Sequence, residues 1–363
     1  MAEEVWMLQT KKADFKQIGA RFRIDPVTAR IIRNRGIEGE AAIDRYLNGT
    51  LDDLYDPMLL KDMECAVSIL CEAVDTGKKI RIVGDYDIDG VCSTYILLQA
   101  FERLGSDVDF EIPDRIKDGY GINESIIEQA HADGVEVILT CDNGISAFHQ
   151  VELAKKYGMT VVITDHHEVP LDGEKEKIPP ADAVIDPKQA DCPYPFPEIC
   201  GAVVAYKLVQ VLYARRGVPQ MEWLDLLEFA AIATVGDVMK LQDENRILVK
   251  YGLKKMAQTK NLGLRRLAEK NNLDLGAITA YHIGFVIGPC LNAGGRLKTA
   301  KEALALLRAQ SEEEAERLAE ELKELNDTRK DMTEQGTEAA KLQVESWYQK
   351  DKVLVVFLPE CHE

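Results

Sequence analysis

Short apolar runs alternate with segments of helical periodicity between residues 80 and 186. The apolar runs have the length and composition of buried strands. We predict strands at 80–83, 108–112, 135–140, 159–164 and 181–186. Helices are predicted between them at 93–104, 123–132 and 147–157. Because alternating strands and helices form right-handed β-α-β units, the pattern predicts an α/β fold with a mostly parallel sheet flanked by helices.

Helical segments are predicted on both sides of this alternating region. Residues 1–75 have the apolar spacing of helices and are expected to pack on the core. After the sheet, the same periodicity predicts four helices, at 202–214, 223–234, 244–258 and 262–271. A glycine-rich stretch at 288–296 follows them and is predicted to be a loop.

The last part of the chain predicts a connection between two domains. Residues 300–348 have a narrow apolar stripe in a charged sequence, which suits a long connector helix. The apolar run at 352–358 predicts a strand without a partner nearby in the sequence. We therefore expect a helical segment (1–75), an α/β catalytic domain (76–299), a connector (300–348) and the first strand of a truncated further domain (349–363).

Composition and charge change this picture in three ways. No apolar run approaches the roughly 18 residues of a transmembrane helix, and the N-terminus lacks the order of charges and apolar residues of a signal peptide. The eight cysteines include no C-x-x-C pair, which favours reduced thiols and a cytoplasmic location. The net charge of -18 argues against a general polyanion-binding surface, but it leaves room for a local basic channel.

Polar residues with metal-binding chemistry follow successive apolar segments. The first group is Asp85, Asp87 and Asp89, directly after the strand at 80–83. The later groups contain Asp142, the run 165–167 (Asp-His-His) and, after an apolar helix, Asp237. The carboxyl ends of parallel strands share one edge of the sheet, so these side chains are expected to meet in one crevice.

Each of these groups has a simple structural explanation when taken alone. An Asp-x-Asp sequence is commonly a helix cap, Asp-Asn-Gly is a common turn, and a histidine pair can be exposed. Taken together, clustered carboxylates repel one another unless a cation neutralises them. Oxygen ligands mixed with imidazole favour Mn²⁺ or Mg²⁺, and the number of carboxylates suits two ions. A single structural Mg²⁺ or Ca²⁺ is the alternative.

The motifs DYDIDG, CDNG, DHH, GDV and GPCLNAGGR, in this order, resemble those of the DHH phosphoesterase superfamily. Within it, the chain resembles the bacterial RecJ branch of single-strand-specific exonucleases over almost its whole length. The final residues, VLVVFLPECHE, resemble the opening of the DHH-associated domain of that branch.

The resemblance implies roles for individual residues. The implied metal ligands are Asp85, Asp87, Asp89, Asp142, His166 and Asp237. The implied catalytic residues are Asp142, Asp165, which would orient an imidazole, and His167, which would face the scissile phosphate. The implied substrate-binding residues are Asn292, Arg296, Gly295 and Gly201, the last through backbone N–H groups at the start of a helix.

The resemblance also implies a function, a metal-dependent 5′-to-3′ exonuclease that converts single-stranded DNA to mononucleotides in DNA repair and recombination. A helicase and a single-strand-binding protein are the implied protein partners. The alternatives are a DHH-family oligoribonuclease or cyclic-dinucleotide phosphodiesterase, and a non-catalytic replication scaffold. Val83 stands where pyrophosphatases of the superfamily place a ligand histidine, which argues against that activity. Cys290 and Val203 also depart from the branch, which has arginine and glycine there.

Overall fold

A central parallel sheet organises the protein. The computed structural model describes residues 5–7, 11–115, 119–347 and 352–358. The strands within these ranges are β1 (Ile80–Val83), β2 (Val108–Glu111), β3 (Val137–Cys141), β4 (Thr160–Thr164), β5 (Leu171–Asp172), β6 (Lys175–Glu176) and β7 (Ala183–Ile185). Five of them pair in the order β2-β1-β3-β4-β7, all parallel, and β5 and β6 form a separate hairpin. The predicted α/β fold is therefore confirmed.

Helices precede, connect and follow these strands. The helices before the sheet are α1 (Phe15–Phe22), α2 (Pro26–Asn34), α3 (Glu40–Asn48) and α4 (Met63–Thr76). Those that connect strands are α5 (Ile88–Arg103), α6 (Glu124–Ala132) and α7 (Phe148–Lys156). Those that follow are α8 (Gly201–Arg216), α9 (Gln220–Leu224), α10 (Leu227–Gly236), α11 (Asp243–Met256), α12 (Leu262–Lys270), α13 (Ala280–His282), α14 (Gly288–Leu297), α15 (Lys301–Leu307) and α16 (Glu312–Trp347).

The two faces of the sheet pack into different cores because side chains alternate along each strand. In β3, Val137 and Leu139 join the larger core with α4, α5, α8 and α10, whereas Ile138 joins the smaller core with α6 and α7. Burial on both faces explains the uninterrupted apolar runs 137–139 in β3 and 161–163 in β4. Because the strands are parallel, the carboxyl ends of β1, β3, β4 and β7 lie on one side of the sheet, where the polar motifs follow.

A buried ion pair ties the N-terminal segment to the helices after the sheet. Lys207 on α8 and Glu244 on α11 lie 3.1 Å apart, with side chains 1% and 0% exposed. Lys207 also donates a hydrogen bond to the carbonyl oxygen of Tyr55 (3.1 Å), and Glu244 accepts one from the Tyr194 hydroxyl. These partners satisfy charges that burial would otherwise make costly.

Three local predictions differ from the structure. The stretch 288–296 was expected to be a loop but lies in α14, because Pro289 is tolerated in a first helical turn and the glycines allow close packing. The connector is two helices, α15 and α16, with Ser311 accepting the Glu314 N–H at the start of the second. Residues 352–358 form no strand, since no neighbouring strand within the described ranges pairs with them. No described helix has an apolar stretch suited to crossing a bilayer.

Candidate active site

The Asp85–Asp89 motif forms the turn from β1 into α5. Asp87 caps α5 and accepts hydrogen bonds from the N–H groups of Asp89 (2.8 Å) and Gly90 (3.1 Å). Asp85 is buried and accepts a longer bond from the N–H of Gly121 (3.4 Å). The strand-to-helix turn therefore brings three carboxylates to the carboxyl edge of the sheet.

Asp89 is held by the first residues of α8. Its two carboxylate oxygens accept hydrogen bonds from the N–H groups of Gly201 and Ala202, each at 2.7 Å. In this structure an Asp89 oxygen occupies the position at the helix N-terminus where the Gly201 N–H was expected to bind a substrate phosphate, so that phosphate contact stays a prediction. The helix instead fixes the orientation of Asp89 and favours its negative charge.

Asp142 follows β3 in a left-handed backbone conformation, with a φ of 62°. Such a φ is uncommon outside glycine, although aspartate is among the residues that tolerate it. A Cβ atom on Gly201 would lie 2.7 Å from the Asp142 Cβ, so the start of α8 approaches closely only because residue 201 is glycine. The strained backbone and the close helix together place the Asp142 carboxylate in the crevice.

Asp165 organises the turn after β4. It is 1% exposed and accepts hydrogen bonds from the Ile145 N–H (2.8 Å) and the His166 N–H (2.7 Å). A third contact joins its Oδ1 to the His167 Nδ1 at 2.7 Å. Asp165 is thus placed to fix the tautomer and orientation of His167.

Asp237 reaches the same crevice from the end of α10. Its Oδ2 lies 3.9 Å from the His166 Nε2, and the side chain is 28% exposed. The following residue, Val238, has a φ of 57°, an unfavourable conformation for a β-branched side chain. The helix end therefore carries backbone strain next to a candidate ligand, as functional sites often do.

The predicted ligands form three overlapping groups of converging ligand atoms, each within 4.8 Å. The groups are Asp142 with His166 and His167, Asp89 with His166 and Asp237, and Asp85 with Asp87 and Asp142. The structure thus brings together every residue predicted as a metal ligand, with His167 in addition.

Unsatisfied polar atoms show that these residues fit a divalent cation. The Asp142 Oδ1 is buried without a hydrogen-bond partner in the described part of the chain, although the His166 Nε2 lies 3.0 Å from it. The Asp142 Oδ1 and the His166 Nε2 each carry a lone pair and approach each other without a hydrogen bond, as two ligands of one metal ion do. Oxygen and imidazole donors, without a thiolate in any of the three groups, favour Mn²⁺ or Mg²⁺.

Burial and like charge raise the pKa values of the carboxyl groups. Burial, then the neighbouring Asp87, raises the pKa of Asp85 to about 7. Burial, then Asp89 and Asp87, raises the pKa of Asp237 to about 7. For Asp142 the same causes hold the pKa well above its usual range. A bound cation would remove this repulsion.

The two histidines have different electrostatic environments. Burial lowers the pKa of His166, which favours the neutral form that binds metals. Burial would also lower the pKa of His167, but the hydrogen bond and negative charge of Asp165 outweigh it and raise the pKa to about 9. His166 is therefore suited to ligation, and His167 to carrying a proton.

A small pocket of about 210 Å³ adjoins Asp237 and contains the predicted phosphate-binding side chains. It is lined by Gly236, Gly284, Gly288, Pro289, Asn292, Arg296 and Arg329. The Asn292 Oδ1 is buried and has no partner in the described part of the chain. Gly295 lies outside this lining, and a Cβ there would be 2.4 Å from the Tyr86 carbonyl oxygen. Gly295 therefore allows close packing of α14 against the Asp85–Asp89 turn, and its contact with substrate stays a prediction.

Two further residues at the site were not predicted from the sequence. The Tyr120 hydroxyl donates a hydrogen bond to the Asp142 carbonyl oxygen (3.0 Å), and its ring lies edge-on to His167. Asp186 follows β7 at the same sheet edge, and its Oδ2 is buried without a partner among the described residues. The position of Asp186 as the last residue of a predicted strand was the available signal, whereas Tyr120 lies in a loop and gave none.

Comparisons with known proteins agree with this geometry. The family described as "DHH family, N-terminal domain" matches residues 79–234. The single-stranded-DNA-specific exonuclease RecJ of Bacillus subtilis is 37% identical over 336 residues, which cover 92% of this chain and 41% of the relative. A crystal structure of exonuclease RecJ bound to manganese is 34% identical, with a TM-score of 0.73, and covers 84% of this chain and 74% of that one. The chain belongs to the RecJ exonuclease family.

Structures of a RecJ from Thermus thermophilus extend the likeness. Its complex with Mn²⁺ has a TM-score of 0.78 and 30% identity over 96% of this chain and 48% of that one. Its complex with Mg²⁺ has a TM-score of 0.65 and 29% identity over 90% of this chain and 42% of that one. The chain spans about half the length of the curated RecJ relatives that it matches.

Proposed function

We propose that this chain is the catalytic part of a metal-dependent 5′-to-3′ exonuclease that converts single-stranded DNA to mononucleotides in DNA repair and recombination. The observation that carries the proposal is the convergence of carboxylates and histidines at one edge of the sheet, with ligand atoms within 4.8 Å. RecJ relatives that share this fold are named for the same substrate, and their structures hold Mn²⁺ or Mg²⁺.

Two ions, Mn²⁺ or Mg²⁺, would be held by Asp85, Asp87, Asp89, Asp142, His166 and Asp237. When bound, ions at such a site activate a water and stabilise the attacking and leaving oxygens of phosphoryl transfer. The N–H groups of Gly201 and Ala202 hold Asp89 in place for this task. In this proposal the catalytic domain is the predicted unit 76–299.

Side chains of this chain bind and orient the substrate. Asp165 holds His167 so that its protonated ring faces the scissile phosphate, with a pKa of about 9 that keeps the proton at neutral pH. The guanidinium of Arg296, beside Asn292 in the pocket next to Asp237, binds a phosphate through its planar fork of N–H donors. Positive charge is thus concentrated where the acidic protein must accept a polyanion.

The cellular setting is part of the same proposal. The cysteines among the described residues are all free, which supports a reducing, cytoplasmic compartment. A helicase that unwinds duplex and a single-strand-binding protein are the proposed partners, since a single-strand nuclease needs an exposed strand.

Asp142→Asn tests the metal centre. The substitution removes one ligand charge but keeps the side-chain shape, so the metal-free variant should be at least as stable as the wild type in thermal unfolding. Hydrolysis of a long 5′-labelled single strand with Mn²⁺ should fall to the uncatalysed background, and calorimetry should show weaker Mn²⁺ binding. Asp172→Asn on the exposed hairpin is the matched control and should leave both unchanged.

The same assay separates the alternatives. Undiminished hydrolysis by the Asp142→Asn variant would refute the metal-centre assignment. Faster hydrolysis of dinucleotides or cyclic dinucleotides than of the long strand by the wild type would indicate a small-substrate phosphodiesterase. Strand binding without hydrolysis of any of these substrates would indicate a scaffold.

A further inference from the structure

Two aromatic rings lie exposed on the helical segment that leads into the pocket beside Asp237. Tyr281 and Phe285 are 64% and 68% exposed. Their ring centroids lie 4.8 Å apart with an interplanar angle of 29°, so the rings are already stacked on each other. We call these two side chains the aromatic patch. Large apolar side chains that lie side by side in solvent commonly mark a binding surface.

The aromatic patch is continuous with the candidate active site. Gly284, next to Phe285 in sequence, lines the pocket that contains Asn292 and Arg296. A Cβ on Gly284 would be 3.6 Å from Val235, which lies in the last turn of α10, just before Asp237. From Phe285 to Arg296 the helical segment rises roughly 16 Å, at about 1.5 Å per residue.

The backbone at the aromatic patch is also unusual. Residues Ile283–Ile287 form a π-helical turn between α13 and α14. Such turns are rare and occur frequently at functional sites, where the extra residue changes the direction of neighbouring side chains. The turn contains Phe285 and Gly284, and therefore sets the position of the ring relative to the pocket.

The two arginines of the neighbouring pocket favour a nucleic-acid strand as the occupant. Arg296 and Arg329 line the pocket and can bind phosphates, but the protein carries a net charge of -18 and cannot attract a long polyanion over its whole surface. A strand that leaves the pocket toward Tyr281 must therefore gain binding energy from contacts other than charge attraction. Exposed aromatic rings provide such contacts, because the π-face of every unpaired base can stack on them.

We propose that Tyr281 and Phe285 are a base-stacking platform for a single strand whose end lies in the pocket beside Asp237. This inference rests on the proposed function and adds a binding site to it. The platform binds bases without regard to sequence and distinguishes a strand of several nucleotides from a dinucleotide, which is too short to reach it. It also selects against duplex, whose bases are already stacked within the helix.

The test compares the wild-type chain with the double variant Tyr281→Ala/Phe285→Ala. With Mn²⁺, the ratio of kcat/KM for a long single strand to that for a dinucleotide should fall at least about fivefold, since stacking contributes about 1–3 kcal/mol per base. Without a divalent ion, a single strand carrying 2-aminopurine should bind more weakly to the variant and lose its stacking-dependent fluorescence quenching. Tyr157→Ala is the matched control, since Tyr157 is 37% exposed, stacks on His131 and precedes β4 at the opposite sheet edge.

Conservative variants separate base stacking from protein docking. Phe285→Tyr keeps an aromatic ring and should keep the wild-type ratio of kcat/KM for the long strand to that for the dinucleotide. Phe285→Leu keeps only apolar area, and this ratio should fall. An unchanged ratio and unchanged binding in the double alanine variant would overturn the inference. So would full activity of Phe285→Leu, which would indicate that the aromatic patch docks a protein segment. If the wild type hydrolysed neither substrate, the proposed function would fail, and the metal-free binding measurement would still decide for or against the platform.

Discussion

The carboxyl group of Glu228 shows how strongly burial controls protonation in this fold. It lies in the first turn of α10, at the opposite end from Asp237, and is 3% exposed. One oxygen accepts a hydrogen bond from the Thr259 hydroxyl (2.6 Å), and the other is buried without a partner in the described part of the chain. Burial raises the pKa of Glu228 from 4.5 to about 7.

The sign of the pH effect follows from this shift. Between pH 4.5 and 7 the folded state binds more protons at Glu228 than the unfolded state does, so the free energy of unfolding falls as the pH rises. Below pH 4.5 the contribution of Glu228 to the free energy of unfolding is fully present, and above pH 7 it is lost. For pKa values of 4.5 in the unfolded state and about 7 in the folded state, the free energy of unfolding falls by about 2–3 kcal/mol between about pH 5 and pH 8.

Glu228→Gln keeps the shape and the Thr259 contact but removes the titration. The variant should match the wild type near pH 5 and be more stable by about 2–3 kcal/mol near pH 8, measured by urea unfolding followed by circular dichroism. Glu222→Gln is the control, because Glu222 and Glu228 line one pocket but a hydrogen bond from Arg103 lowers the pKa of Glu222. That variant should show no stability gain at pH 8. An equal difference between Glu228→Gln and wild type at both pH values would refute the reasoning.

Two further substitutions test a buried ion pair and a close packing contact. Lys207→Met leaves the Glu244 carboxylate buried without its cation, and urea unfolding should show a free energy of unfolding lower by about 3–5 kcal/mol. The double variant Lys207→Met/Glu244→Gln should recover much of this loss, and equal stability of the single and double variants would contradict the reasoning. Gly295→Ala places a Cβ 2.4 Å from the Tyr86 carbonyl oxygen, and thermal unfolding should show a loss of about 1–3 kcal/mol. Gly284→Ala, which meets only an ordinary 3.6 Å contact on the same helical segment, is the control and should cause no loss.

The strands and most connecting helices could be predicted because burial on both faces leaves a continuous apolar run. In β3, the residues 137–139 (Val-Ile-Leu) carry this signal without interruption. The convergence of the candidate metal ligands could be predicted because a parallel sheet brings its carboxyl ends together, so sequence position implies proximity. The roles assigned to them beyond proximity remain predictions.

The features that the sequence did not reveal depend on tertiary contacts. The Gly201 N–H was expected to face a phosphate, but no sequence pattern reveals that it donates to Asp89, far away in the chain. Glycines at 294 and 295 suggested a loop, whereas Gly295 lets α14 pack closely against the Asp85–Asp89 turn and Gly294 lets it approach the Thr299 carbonyl oxygen. The Tyr120 contact with Asp142 depends on a loop conformation that apolar periodicity does not encode.

Asp237 and the N–H groups that hold Asp89 both come from helices that follow the sheet in the chain. Synthesis proceeds from the N-terminus, and folding begins on the part already made. A nascent chain that has completed the strands still lacks α8 and α10, so its carboxylates are neither oriented nor complete. We therefore expect the candidate metal site to be complete only after α10 has docked, so that a chain with a finished sheet has not yet acquired its full set of candidate ligands.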